Sequence, residues 1–288
     1  MIVVTGATGR LGRTIVEHLL TRLPAEHIGV SVRDPNKAAD LEARGVRVRH
    51  GDFSDPSSLA HAFENAEQIL LVSSNARAQG GDPLAQHRAA IDAACTAGVD
   101  RIVYTSQMAA SPTSAFPPAV DHAATETMLQ QSGLAWTALR HGFYASSALV
   151  FLGDSLETGL LETPADGKIA WTTHADLAEG AAIVLTDSGH FDGPTPPLTG
   201  AHALDFADLT SVASELLGRS VHRQVVPEGA FAAKLPARGA PSGAVNMLLG
   251  LYRASRAGEF AIVDPSLERM LGRPATTIRD LLAHHLQR

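Results

Sequence analysis

A single cysteine, Cys95, stands in this chain of 288 residues, so no disulfide framework can hold it together. Its neighbours Ile91 and Ala94 make an apolar helical stretch, which predicts a buried, inert thiol. Lysine is almost as scarce, with only Lys37, Lys168 and Lys234, and the arginines are dispersed. At a net charge of −7 there is no basic footprint for nucleic acid. No hydrophobic run is long enough to span a membrane, and no basic segment precedes the first strand as in a signal peptide. A cytoplasmic location is expected. None of the thirteen histidines falls in H-E-x-x-H or a comparable ligand spacing, and His284-His285 reads as an exposed tail pair, so no metal is expected. A G-x-S-x-G nucleophile elbow is also absent, as are repeats and low-complexity tracts.

What the chain has is 45% hydrophobic residues, enough for a substantial core, and an informative start. The hydrophobic strand Ile2, Val3, Val4 runs straight into TGATGRLG, which begins at Thr5. Gly6, Gly9 and Gly12 therefore sit where a first strand turns into a first helix. Gly6 suits tight backbone angles, Gly9 lets a pyrophosphate approach the main chain, and Gly12 lets the helix pack closely. Thr8, Arg10 and Leu11 belong to the same turn, and the helix N-terminus offers N–H groups and a positive dipole end. Context separates this from an ordinary strand-to-helix turn. An amphipathic run follows (Leu11, Ile15, Val16, Leu19, Leu20, Leu23), and a second strand, Ile28 to Val32, completes a βαβ unit of about thirty residues. The pattern predicts a dinucleotide site.

Which dinucleotide is decided after the second strand, where the chain reads SVRDPNK. Arg33 follows the strand directly and Lys37 comes four residues later. Two cations there suit the 2′-phosphate of NADP, with NADPH preferred over NADH. Pairing of Arg33 with Asp34 is the alternative, and Asp34 keeps NAD open.

Strand and helix signals continue to alternate. Val46 to Gly51 reads as a third strand. Asp55-Pro56 opens a short helix with N-cap and N1 residues, Gln68 to Val72 is a fourth strand, and Asp82-Pro83 opens a helix to Ala97. Arg101 to Tyr104, a helix from Asp121 to Ser132, and a strand from Ala135 to Arg140 complete the series. The fold predicted is α/β, a doubly wound parallel sheet of Rossmann type, with residues 1–150 binding the dinucleotide. Residues 151–288 read as a smaller substrate-covering portion, broken by turn-rich stretches at Gly193 to Pro197 and Pro236 to Gly243. Within it, a helix from Ala175 to Thr186 packs on the main sheet, and Thr276 to His285 is a capped amphipathic helix.

Ligands of open α/β sheets bind beyond the carboxyl ends of the strands, so each strand exit nominates residues. Asp52 and Phe53 leave the third strand, placed to accept from an adenine amino group and to flank its ring. Ser73 and Ser74 leave the fourth beside the ribose and phosphates. Thr105, Ser106 and Gln107 leave the fifth, and His141, Gly142, Phe143 and Tyr144 leave the sixth near the expected nicotinamide. For the hydroxyl residues a turn or cap role is the alternative, and for Phe143 and Tyr144 it is core packing. His174 either reaches toward the cofactor or caps the helix it precedes.

TGATGRLG, the Arg33 exit, GDFSD, LLVSS, YTSQ, the H-x-x-x-E-x-x-L helix from His122 and LRHGFY together resemble the NmrA-like atypical short-chain dehydrogenase/reductases. The stretch GKIAWTTHADLAEGAA from Gly167 to Ala182, LLGRSV and LGRPATT extend the likeness over nearly the whole chain. Within that group the chain is most similar to type 2 NAD(P)H:quinone oxidoreductases. The resemblance implies hydride transfer from NADPH to a quinone.

Ordinary members of the wider superfamily use a Tyr-x-x-x-Lys pair, in which the cation lowers the phenol pKa for proton exchange. Here Tyr104, Tyr144 and Tyr252 are followed four residues later by Met108, Ala148 and Arg256. Aligning the helix by its glutamate puts Pro118 and His122 at the two positions. A quinone needs no such acid, because its reduced anion is already stabilised and takes a proton from water. Proximity and orientation then suffice. Phe143 and Tyr144 are the expected pocket aromatics. His122 and Tyr144 are the catalytic candidates, with His122 either touching the nicotinamide ribose or pairing with Glu126 on the helix surface. Two alternatives stay open: a non-catalytic NmrA-like dinucleotide sensor that regulates a partner, and reduction of dyes or other conjugated acceptors. The partner expected is a small quinone-like molecule, with a homodimer left open.

Overall fold

The computed structural model describes residues 1–187, 191–235 and 242–287. In chain order the first elements are β1 (Ile2–Thr5), α1 (Arg10–Leu20), β2 (Ile28–Val32), α2 (Ala39–Glu42), β3 (Arg47–His50), α3 (Pro56–Phe63), β4 (Gln68–Leu71) and α4 (Pro83–Thr96). There follow β5 (Arg101–Gln107), α5 (Pro117–Gln131), β6 (Ala135–His141), β7 (Phe143–Tyr144), α6 (Ala145–Leu152), α7 (Ser155–Thr158), β8 (Leu160–Thr163), β9 (Trp171–Thr172) and α8 (His174–Thr186). The last are β10 (Gly193–Pro194), α9 (Phe206–Leu217), β11 (His222–Val225), α10 (Glu228–Lys234), α11 (Ser242–Arg256), α12 (Ser266–Leu271) and α13 (Ile278–Leu286).

Seven strands form one parallel sheet in the order β10-β6-β5-β4-β1-β2-β3. Every residue of β1 (IVVT) and β2 (IGVSV) is buried, as in a sheet covered on both faces. Val4 joins Ile15, Val16 and Leu19 of α1 and Leu177 to Leu185 of α8 on one face. Val3 faces the opposite way, with Leu59 and Phe63 of α3, Ile91 and Ala94 of α4 and Leu129 of α5. Successive strand residues thus feed two separate cores, and the predicted α/β architecture is what the chain adopts. Asp55 and Asp82 cap α3 and α4 as expected, accepting from Ser57 N and from Leu84 N and Ala85 N. The strand order reverses between β1 and β4, which opens a crevice at their carboxyl ends.

Some expectations are corrected. β5 does not end at Tyr104 but runs on through Thr105, Ser106 and Gln107, because all seven residues pair with β6, from Arg101↔Ala135 to Gln107↔His141. α5 begins at Pro117, four residues before Asp121, since two prolines suit its first turn. Cys95 is exposed and not buried. α4 turns Ala90, Ile91 and Ala94 inward, and the next position swings past that stripe toward solvent.

The helix expected at Ala175 to Thr186 is α8, which packs against α1. The expected C-terminal helix is α13, closed by a Thr277–Asp280 capping box. A third apolar core gathers Phe116, Trp171, Phe206, Tyr252 and Phe260. Two short parallel pairs, β7 with β9 and β8 with β11, were not read from the sequence. Of the turn-rich stretch from Pro236, residues 236–241 lie outside the described residues. Among the described residues no helix is long and apolar enough to cross a membrane.

Candidate active site

The Thr5 hydroxyl stitches β1 to β4, donating to Leu70 O at 3.1 Å and accepting from Val72 N at 2.9 Å. The chain then turns at Gly6, whose φ of +62° lies in the left-handed region. Gly9 N donates to Gly6 O at 2.9 Å, and Gly9 is the N-cap of α1 without any side-chain cap. A Cβ at Gly12 would lie 2.4 Å from Gly6 O and 2.8 Å from Gly6 C. No side chain fits, so α1 closes directly on the turn. Gly6, Thr8, Gly9 and Arg10 are exposed, whereas Leu11 and Gly12 are buried beneath them. The result is an open helix N-terminus built to receive an anion.

Arg33 is exposed at the end of β2, and among the described residues it forms no ion pair or side-chain hydrogen bond. Its expected competitor is otherwise engaged: the Asp34 side chain accepts from Asn36 N at 3.1 Å and caps the 3₁₀ turn Pro35–Ala38. The pairing of Arg33 with Asp34 is therefore not made. Lys37 lies in that turn, also exposed and unpaired among the described residues. Asp52 accepts from Ser54 N at 2.9 Å, and Phe53 is half-buried beside it.

The next strand exits are tied to one another. Ser73 N donates to the buried Thr105 hydroxyl at 2.8 Å. Ser74 N donates to His87 Nε2 at 2.8 Å, which leaves the proton of this buried ring on Nδ1, 2.8 Å from Thr125 Oγ1. Burial pushes the His87 pKa down to about 4, so the ring is neutral. Thr105 and His87 thus hold the loop that carries Ser73 and Ser74.

Ser73 also borders a cavity of about 280 Å³ at the carboxyl ends of β5 and β6. Its polar side includes Gln107, His122 and His141; its apolar side includes Phe116, Phe143, Tyr144, Phe151, Met247, Leu248 and Leu251. Among the described residues no charged side chain lines it. Ser106 lies at its margin and donates to Glu126 at 2.7 Å, and Glu126 is held by Arg140 through bonds of 3.1 and 2.7 Å.

That last contact overturns the surface pairing of His122 with Glu126. The Tyr104 hydroxyl lies 2.7 Å from His122 Nδ1, and the His122 ring faces the cavity. Burial, with His87 and His141 nearby, pushes the His122 pKa down to about 3. His141 is pushed down to about 3 by the same cause, and neither of its ring nitrogens has a partner among the described residues.

Phe143 serves both readings, lining the cavity while its ring packs against Phe116, Trp171 and Phe260. Tyr144 lies against His174, ring centroids 4.3 Å apart, and burial raises its pKa to about 12. Thr173 rather than His174 caps α8, so His174 supports Tyr144 instead. Pro118 lines the cavity one turn before His122, and it carries no proton to exchange.

Sequence reasoning missed Phe116, Phe151 and the wall supplied by α11. Met247, Leu248 and Leu251 have the i, i+1, i+4 spacing of a helix face, a usable signal. It was hidden by the turn-rich stretch just before it.

A family profile described as NAD(P)H-binding matches residues 6–187. Quinone oxidoreductase 2 of Escherichia coli is 37% identical over 285 residues, which is 99% of this chain and 98% of that protein. The crystal structure of that NADPH-dependent enzyme complexed with NADPH superposes with a TM-score of 0.93, covering 99% of this chain and all of the other. An NmrA-like family domain-containing oxidoreductase of Aspergillus flavus is 33% identical over 98% of this chain and 95% of its own. The Citrobacter sp. triphenylmethane reductase complexed with NADP(H) is 32% identical, with a TM-score of 0.88 over 99% of both chains.

Proposed function

The chain belongs to the NAD(P)H-binding, NmrA-like family, and from that premise we propose that it acts in the cytoplasm as an oxidoreductase reducing quinones or similar conjugated acceptors with NADPH. The observation that carries this is the cavity at the ends of β5 and β6, lined by aromatic rings and neutral imidazoles, in a chain without a Tyr-x-x-x-Lys pair.

The residues fit the cofactor. The left-handed Gly6, the side-chain-free approach at Gly12 and the uncapped start of α1 suit a pyrophosphate, with Thr8, Gly9, Arg10 and Leu11 around it. Arg33 and Lys37, both without protein partners among the described residues, would hold the 2′-phosphate. Asp52 and Phe53 would meet the adenine, Ser73, Ser74 and Thr105 would form the middle of the site, and His141 would lie near the nicotinamide. On this reading residues 1–150 carry the cofactor and residues 151–288 mainly cover the acceptor.

When bound, NADPH supplies a hydride; with one proton from water, a quinone then becomes a hydroquinone. The chain's own part is orientation. Phe116, Phe143 and Phe151 offer rings for a flat acceptor, and Met247, Leu248 and Leu251 exclude water from it. The Tyr104 phenol, raised far above its ordinary pKa by burial, stays protonated and cannot act as the base of an alcohol oxidation. The enzyme reading is favoured over the regulator alternative because the relatives at 37% and 33% identity, matched over 98% and 95% of their own lengths, are both oxidoreductases.

The test is the loss of reduced-nicotinamide absorbance with simple benzoquinones, using NADPH and NADH in parallel. Turnover is expected with NADPH and slower turnover with NADH. Tight NADPH binding without turnover of any quinone would overturn the proposal.

A further inference from the structure

Gln107 and His141 are Cα partners at the last rung of the β5–β6 ladder. Both line the cavity, and both are buried, with 9% and 1% of their surface exposed. Gln107 Oε1 accepts from Ala109 N at 2.7 Å, which fixes the amide and leaves its NH₂ group as the free end. Among the described residues that nitrogen has no hydrogen-bond partner, and neither His141 Nδ1 nor Nε2 has one. A neutral imidazole carries one N–H donor and one acceptor lone pair.

Buried polar atoms left unpaired cost about 1–3 kcal/mol each, and native proteins carry few of them. Three on a single rung at one cavity wall mark a place where a ligand completes the bonding. Donors on both side chains call for an oxygen acceptor. Most of the remaining lining is apolar or aromatic, which calls for a flat ring. No carboxylate lines the cavity among the described residues to favour a cationic dye.

We propose that Gln107 and His141 form a carbonyl-recognition subsite that makes this chain selective for oxygen-bearing conjugated acceptors over triarylmethyl cations. The proposal rests on the hydride-transfer function above and deepens it by naming the acceptor class. Gln107 N–H donates to the carbonyl oxygen, His141 adds a second bond, and together they fix the ring's orientation against Phe116 and Phe143. A triarylmethyl dye offers neither side chain a carbonyl oxygen.

The test compares two ligands of the same shape, 2,3-dimethyl-1,4-naphthoquinone and 2,3-dimethylnaphthalene. Their methyl groups block addition by the exposed Cys95 thiol. Equilibrium dialysis against the whole protein gives the affinity ratio without any turnover. Wild type is expected to prefer the quinone, and Gln107→Met and His141→Phe should each reduce that preference about tenfold or more. The ratio of kcat/KM for the quinone to that for a triphenylmethane dye should fall in parallel. If one variant does not fold, the other decides.

An unchanged preference in the folded variants would overturn the subsite. So would weakened NADPH binding with the quinone preference intact, which would assign the pair to the carboxamide of the nicotinamide. The two levels separate cleanly. Preferential quinone binding without turnover sinks the function and keeps the subsite, whereas turnover with unaltered preference does the reverse.

Discussion

The Tyr104 hydroxyl lies 2.7 Å from His122 Nδ1, joining the middle of β5 to the cavity side of α5. Burial keeps the phenol protonated and the imidazole neutral, so the contact is a hydrogen bond between two uncharged groups. Tyr104 is thereby a positioning residue for a neutral imidazole at the cavity. Tyr104→Phe should cost about 1 kcal/mol of stability and lower kcat/KM for a benzoquinone roughly 3–10-fold, with little change in NADPH affinity. Melting curves, cofactor titrations and initial rates check this. Unaltered kcat/KM would show that the Tyr104 contact to His122 has no bearing on turnover.

Arg33 stands exposed with no protein partner among the described residues, so exchanging it should leave the fold as stable as before. Arg33→Asp is expected to shift the NADPH-to-NADH preference by about 10–100-fold toward NADH, the range of a lost charge-assisted phosphate contact. Steady-state kinetics with both nucleotides measure it. A constant ratio would remove Arg33 from the 2′-phosphate.

Gly12 and Gly229 make a matched pair of tests. At Gly12 a Cβ collides with backbone atoms of Gly6, whereas at Gly229, within α10, nothing among the described residues lies within 4 Å. Gly12→Ala should destabilise the protein by about 2 kcal/mol or more and weaken NADPH binding, because the turn must move to admit the methyl group. Gly229→Ala should be neutral or stabilising by up to about 1 kcal/mol. Equal tolerance at both positions would contradict the close approach of α1 to its turn.

Four imidazoles are held below their ordinary pKa by burial: His87 and His174 at about 4, His122 and His141 at about 3. In the unfolded chain each titrates near 6.5, so the unfolded state binds protons first as the pH falls. Their stabilisation is complete above pH 6.5 and is lost progressively between pH 6.5 and about 3. For the fully buried His87 and His141 the loss is on the order of several kcal/mol. Melting temperatures should therefore fall steeply from about pH 6.5 to pH 4.5. His87→Gln should be less stable at neutral pH, yet show a shallower fall, and a flat wild-type profile would refute neutral burial of these rings.

Much of the fold was legible because local rules and global architecture coincide. β1 and β2 are continuous apolar runs, Asp55-Pro56 and Asp82-Pro83 announce α3 and α4, and the glycine spacing after β1 has one economical use. Misses arose where a partner decides the outcome. Thr105 to Gln107 are polar and read as a strand exit, but pairing with β6 keeps them in the sheet. Cys95 sits in an apolar stretch, and only the facing of α4 shows that it points outward.

By itself the order of residues determined a doubly wound sheet, a phosphate turn at its first strand and the lack of a tyrosine–lysine acid pair. Those properties depend on neighbours within a few positions, or on composition alone. Tertiary structure decided which groups meet: Tyr104 with His122, Gln107 with His141, and residues of α11 lining one cavity with those of β5. Such contacts join residues far apart in the chain, and burial between packed layers sets their protonation. Neither can be read from spacing along one strand of sequence.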